Sequence, residues 1–150
     1  MPGPKAHRHG LIPEFMAEIA RVVIGTSAAA DDLRLGGANA LAEFYLGHRL
    51  SLDLDFFAMD PGRVEAVALE LIDRLSGSGL VADVKVARRF ADFQRLSLIP
   101  AAGGSELDVD LGRWMPPQLY PPVMVGGIRV EAFREPAMWR RLRPDVTPRP

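Results

Sequence analysis

The stretch Ser51-Leu-Asp-Leu-Asp-Phe-Phe57 holds the residues best placed to do chemistry. Leu52, Leu54 and Phe56 alternate with Asp53, Asp55 and Phe57, a period-two pattern that predicts a strand. Residues two apart in a strand share a face, so Asp53 and Asp55 project side by side while the apolar set anchors the other face. Adjacent carboxylates repel each other unless a cation lies between them. Hard oxygen ligands of this kind suit Mg²⁺, which keeps several waters and shares the phosphates of a substrate. An isolated Asp-x-Asp is more often a plain solvated strand face. Glu106-Leu-Asp-Val-Asp-Leu111 weakens that bland reading, because it is a second alternating strand with Asp108 and Asp110 on one side. If the two strands are neighbours, three carboxylates converge. Such a cluster can hold two Mg²⁺ ions about 3.5 to 4 Å apart, one activating an attacking hydroxyl and one holding a triphosphate.

Gly36-Gly37 supplies a place for phosphate. It follows a short predicted strand, Asp31 to Leu35, and precedes a predicted helix, Ala38 to Leu46. Glycine lets the backbone approach a phosphate closely, and a helix start adds N–H donors. A lone Gly-Gly is usually only a turn; its position ahead of the Asp-x-Asp gives it weight.

The remaining elements must position these groups. Phe15, Ile19, Val22 and Val23 recur at helical spacing and predict a helix over Glu14 to Ile24. Val64, Val67, Ala68, Leu71, Ile72 and Leu75 form the stripe of a helix over Pro61 to Ser76, closed by Gly77 and Gly79. Leu80 to Ala87 and Phe93 to Ile99 read as strands joined by Arg88 to Asp92. Val123 to Val125 and Ile128 to Val130 flank Gly126-Gly127, a two-residue hairpin signal. A short helix over Glu135 to Leu142 completes an α+β domain with a mixed sheet and flanking helices.

With 150 residues, 48% apolar and 25% charged, the chain is expected to be a single globular domain whose ends, 1–13 and 144–150, are loosely held. The net charge of −1 gives no overall basic field. Basic charge is almost all arginine, with Lys5 and Lys85 the only lysines. The absence of cysteine excludes disulfides, thiolate metal sites and cysteine catalysis. No apolar run is long enough to span a bilayer. The start, basic and rich in Pro, Gly and His, is unlike a secretory signal, so the expected location is the cytoplasm. There is no P-loop, serine elbow or His-Glu-x-x-His signature.

Leu35-Gly-Gly-Ala-Asn-Ala-Leu41, followed by Gly47-His-Arg-Leu-Ser-Leu-Asp-Leu-Asp-Phe-Phe57, resembles the AbiEii/AbiGii toxin family of the DNA polymerase beta-like nucleotidyltransferase superfamily. The superfamily motif is a hydrophobic residue, Gly-Gly or Gly-Ser, a helix, then Asp-x-Asp. The family adds an Arg and a Ser before that Asp-x-Asp, matched by Arg49 and Ser51. Its third carboxylate sits in a hydrophobic-Asp-hydrophobic strand. Val109-Asp110-Leu111 fits best, with Asp108 as the alternative. The two differ by about 6 to 7 Å along a strand, so one of them is expected to lie level with a metal held by Asp53 and Asp55.

The resemblance implies a Mg²⁺-dependent nucleotidyltransferase that moves a nucleotide from an NTP to an acceptor. Relatives include toxins of toxin–antitoxin or phage-abortive systems that act on RNA, including tRNA ends, which implies a cognate antitoxin as partner. Asp53, Asp55 and Asp110 would hold metal, with Asp110 helping to deprotonate the acceptor hydroxyl. Gly36, Gly37 and Ser51 would face the triphosphate, and Arg49 would pair with phosphate or brace the Asp strand. Departures fall late in the chain. Family members carry a lysine in a helix after the last strands, then a longer helical region with an Arg-Asp pair. Here Trp139 or Arg140 stands where that lysine would fall, its role passing to Arg140 or Arg141 or being lost, and the chain ends at Pro150. That departure leaves a second expectation, a catalytically impaired binding or regulatory module. Small-molecule modification is a third. Trp114, Tyr120 and Trp139 are read as packing residues, Arg88-Arg89 and Arg140-Arg141 as solvated arginines, and His7 and His9 as part of a solvated tail.

Overall fold

The computed structural model describes residues 3–47 and 53–139. His48, Arg49, Ser51, Arg140 and Arg141 therefore lie outside the described residues.

Two amphipathic helices cover one face of a sheet. The first, α1 (Glu14–Ile24), buries Met16, Ile19, Ala20 and Val23. The sheet begins with β1 (Arg34–Gly36), which runs into α2 (Gly37–Ala40), and the same helix continues over Leu41–Leu46 with π rather than α geometry. Then come β2 (Asp53–Ala58), α3 (Arg63–Ser76), β3 (Val81–Phe90), β4 (Phe93–Pro100) and β5 (Leu107–Arg113). The hairpin β6 (Val123–Val125) and β7 (Ile128–Val130) and a short α4 (Pro136–Trp139) complete the described chain. The single sheet has the order β3-β4-β5-β2-β1-β7-β6. The pairs β2/β5 and β1/β7 are parallel and the other pairs antiparallel, so the fold is the expected α+β arrangement with a mixed sheet and flanking helices. Among the described residues no helix is long and apolar enough to cross a membrane.

The core lies between α1, α3 and one sheet face. Leu54, Phe56, Leu96, Leu98, Val109 and Leu111 meet Val64, Val67, Leu71 and Leu75 there. These strand residues alternate in sequence with Asp53, Asp55, Arg95, Ser97, Asp108 and Asp110, so the pleat sends the polar set to the opposite face.

Three local departures from the sequence pattern have physical causes. First, β1 starts at Arg34, not Asp31, because the Asp32 carboxylate turns away to bind the backbone N–H groups of Met59 and Asp60 and the Arg63 guanidinium. Those contacts fix the connection from β2 into α3. Second, the helix after Gly37 relaxes into π geometry, a form concentrated near functional sites. Its carbonyls at Glu43 and Phe44 accept bonds from His9 N and His7 N at 2.8 and 2.9 Å, tertiary contacts that the helical stripe does not disclose. Third, β3 extends through Arg88 and Arg89 to Phe90, leaving a tight turn at Ala91-Asp92, because pairing with β4 continues past a bulge between Val86 and Arg88.

Glu43 organises the beginning of the described chain. Its buried carboxylate accepts from the backbone N–H groups of His9, Gly10, Leu11 and Ile12 and from the Arg8 guanidinium, at 2.6 to 2.9 Å. Burial pushes its carboxyl upward, but these donors outweigh that and hold it below the usual carboxylate range.

Candidate functional site: an acidic sheet face beside a glycine notch

The strand register assembles the site. Parallel pairing of β2 with β5 sets Asp53 opposite Asp108 and Asp55 opposite Asp110. The next strand, β4, places Ser97 opposite Asp108 and Arg95 opposite Asp110. On the other side, β1 places Gly36 opposite Asp55. Residues directly opposite in a sheet share a face, so these side chains form two parallel rows on the side away from the core. One row reads Asp53, Asp108, Ser97. The other reads Gly36, Asp55, Asp110, Arg95.

Both Asp108 and Asp110 are therefore level with an aspartate of β2. The choice between them turns on depth and partners instead of register alone. Asp55 and Asp110 are buried, at 5% and 2% exposure, whereas Asp53 and Asp108 are half-buried. Arg95 grips Asp110 with a two-pronged ion pair, Nε to Oδ1 at 2.7 Å and a terminal nitrogen to Oδ2 at 2.9 Å. Ser97 donates to Asp108 at 2.8 Å. The bond to Asp110, opposed by burial and reinforced by the charges of Asp110, Asp108 and Asp53, pushes Arg95 above the ordinary guanidinium range. A guanidinium thus supplies the positive charge that a cluster of carboxylates requires.

The glycines have a steric role as well as a conformational one. Gly37 has φ of +75°. A Cβ placed on it would stand 2.5 Å from Asp55 Oδ2 and 3.1 Å from Asp55 Cβ. A Cβ on Gly36 would stand 2.9 Å from the Phe57 ring, also on the acidic face. The pair thus forms a notch that admits Asp55 and Phe57 against the start of α2. Phe57 in turn packs edge-on against Trp114, ring centroids 6.1 Å apart at 75°, so Trp114 is a packing residue. Asn39, buried, donates its side-chain amide to the Asp53 carbonyl and ties α2 to β2. It belongs to the Gly-Gly-Ala-Asn run, but nothing in its spacing announced this bond.

Beside the notch, Arg34 and Glu131 form a buried ion pair. Burial pushes the Glu131 carboxyl up to about 7, outweighing the opposing charge of Arg34. Tyr45 donates to the Glu131 carbonyl at 2.8 Å.

Among the described residues no three His, Asp or Glu side chains are already gathered as a metal cage. Asp110 is turned to Arg95 and Asp108 to Ser97. The donor set still fits Mg²⁺, since that ion needs only one or two carboxylates when a triphosphate supplies further oxygens. Asp53 and Asp55 are two such carboxylates on one strand face, and Asp110 is the nearest neighbour of Asp55 across the ladder.

No family model matches the chain, and no curated protein does. Solved structures do match. JHP933 from Helicobacter pylori is 18% identical, with a TM-score of 0.53 over 83% of this chain and 54% of that one. A protein named "putative nucleotidyltransferase" from H. pylori is 18% identical, with a TM-score of 0.52 over 80% of this chain and 52% of that one. This chain spans about half the length of each. The likeness is one of fold.

Proposed function

We propose that this chain is a Mg²⁺-dependent nucleotidyltransferase that moves a nucleotide from an NTP to an acceptor hydroxyl, as the toxin of a toxin–antitoxin or phage-abortive system. The observation that carries the chemical part is the register of β2 against β5, which makes Asp110 the cross-strand neighbour of Asp55 beside the Gly36-Gly37 notch. Asp53, Asp55 and Asp110 would hold the metal, which, when bound, neutralises phosphate charge and lowers the pKa of an attacking hydroxyl. Gly36 and Gly37 would face the triphosphate, as the family resemblance implies, and their missing side chains let Asp55 pack against the start of α2. Arg49 and Ser51 take the nucleotide-facing roles that the family resemblance gives them. The toxin role, an RNA or tRNA acceptor and a cognate antitoxin rest on that resemblance.

The Arg95–Asp110 ion pair favours a second reading. A guanidinium already neutralising the third carboxylate suits a module that binds nucleotide without turning it over.

A thermal melt in Mg²⁺ with each of the four NTPs tests nucleotide and metal binding. Ligands that bind only the native state raise the melting temperature. An upward shift that disappears in Asp53→Ala supports the site. The absence of any shift at millimolar metal and nucleotide contradicts it.

A further inference from the structure

The two acidic rows do not end at β4. The β3–β4 pairing sets Lys85 opposite Ser97 and Arg88 opposite Arg95, and beyond them Phe90 opposite Phe93. The first row therefore runs Asp53, Asp108, Ser97, Lys85, and the second Asp55, Asp110, Arg95, Arg88. A third row runs Phe57, Gly112, Phe93, Phe90 on the same face. Charge thus changes sign across the sheet, from carboxylates on β2 and β5 to cations on β4 and β3. Strands lie about 4.8 Å apart, so Arg88 sits roughly 10 Å from Asp110.

Arg95 is neutralised by Asp110; Arg88 and Lys85 are exposed and form no ion pair among the described residues. Arg88 stands directly opposite Arg95, whose charge Asp110 already meets, so Arg88 is the cation of this row left to face an anion from solution. Phe90 is 49% exposed at the turn, one pleat beyond Arg88. Arg89, between them, points to the other face and pairs with Glu65 on α3 at 3.0 Å.

We propose that the β3–β4 hairpin is the docking surface for a single-stranded polynucleotide. Its phosphates run over Lys85 and Arg88, a base stacks on Phe90, and the reacting end reaches the aspartates. An aromatic next to cations on a strand face is the usual means of holding a single strand without reading its sequence. The position of the reacting end rests on the nucleotidyl-transfer reading; the surface itself does not. Exposed Asp83 shares this face, opposite Ile99, but lies at the end of the strand away from Phe90, so Arg88 is the cation nearest the ring.

The test is fluorescence anisotropy of labelled twelve-residue oligonucleotides, in RNA and DNA versions, across a salt series. Lys85→Ala/Arg88→Ala should weaken binding at least tenfold and flatten the salt dependence, each lost phosphate contact reducing the log–log slope by about 0.7. Phe90→Ala should weaken binding several-fold, and Phe90→Tyr should restore it. Arg89→Ala, on the same strand but the opposite face, should change little. All four positions are exposed, so the variants should fold. Preference for the RNA version identifies RNA as the strand held, and equal binding or a DNA preference identifies DNA as a source; either supports the surface. The proposal is overturned if Lys85→Ala/Arg88→Ala binds like wild type, if Arg89→Ala weakens binding equally, if poly-glutamate competes as well as the oligonucleotide, or if wild type binds neither strand at low salt. The NTP melt separates the two readings. Hairpin-dependent oligonucleotide binding without any NTP shift rejects nucleotidyl transfer and keeps the surface, and the reverse pattern rejects only the surface.

Discussion

The carboxylate of Asp55 occupies the space where a side chain on Gly37 would project, with Oδ2 2.5 Å from the position of the missing Cβ. The glycine and the aspartate are thus one unit, joined by the Gly36–Asp55 register of β1 and β2. Gly37→Ala meets both a steric collision and a φ of +75°. It should cost about 1 to 3 kcal/mol of stability in urea unfolding. Gly37→Ala/Asp55→Gly should recover part of that loss. Additive costs in this double-mutant cycle would show that the two residues do not share the space.

Arg95 and Asp110 allow a second test. Arg95→Gln removes the cation that faces Asp110, Asp108 and Asp53. Breaking a largely buried ion pair from one side costs up to about 3 kcal/mol, less here because Arg95 is partly exposed. Mg²⁺ should stabilise Arg95→Gln more than wild type, since the ion can replace the lost charge. Equal Mg²⁺ responses in melts of the two proteins would mean that the carboxylates do not bind the ion as a group.

Glu131 should make stability fall as pH rises. Its ordinary value is 4.5, and burial raises the folded value to about 7. Between those values the unfolded chain releases the proton while the folded protein keeps it. The resulting stabilisation is complete below pH 4.5 and disappears as pH rises through about 7. Glu131→Gln cannot ionise, so its stability relative to wild type should improve from pH 5 to pH 8. A gap that stays constant or moves the other way would show that Glu131 titrates normally.

Glu43 should show the opposite sign. Its folded value lies below 4.5, so its contribution is present above that pH and is lost as pH falls through the folded value. Glu43→Gln loses charge-assisted bonds to residues 8–12 and should cost at least about 2 kcal/mol at neutral pH. The gap should narrow on acidification, and limited proteolysis should cut first near Gly10. Unchanged protease resistance in the variant would contradict the anchoring role.

Much of this was legible in the sequence, and the parts that were not share a cause. The stripe over Glu14 to Ile24 gave α1 with the observed bounds, and Gly126-Gly127 gave the β6–β7 hairpin, both glycines having positive φ. Alternation placed Asp53, Asp55, Asp108 and Asp110 on strand faces correctly. Alternation does not say which strands are neighbours. Arg95 therefore did not stand out, although it lies two residues from Ser97 on the same polar face. Arg88 and Arg89 are solvated, as read, but for the same reason the sequence did not show that register sends one to each face. Asn39 and Glu43 act through bonds to distant backbone, which no local period encodes. Arg49 and Ser51 rest on the motif resemblance, since they fall outside the described residues.

The most direct measurement is transfer itself. Purified protein, Mg²⁺, total tRNA and each α-labelled NTP should yield acid-precipitable label with at least one nucleotide. Asp55→Asn should abolish it, because neutralising one carboxylate disables the metal clamp. No label on RNA from wild type with any of the four nucleotides, alongside normal NTP binding, would contradict the catalytic claim and leave a nucleotide-binding module.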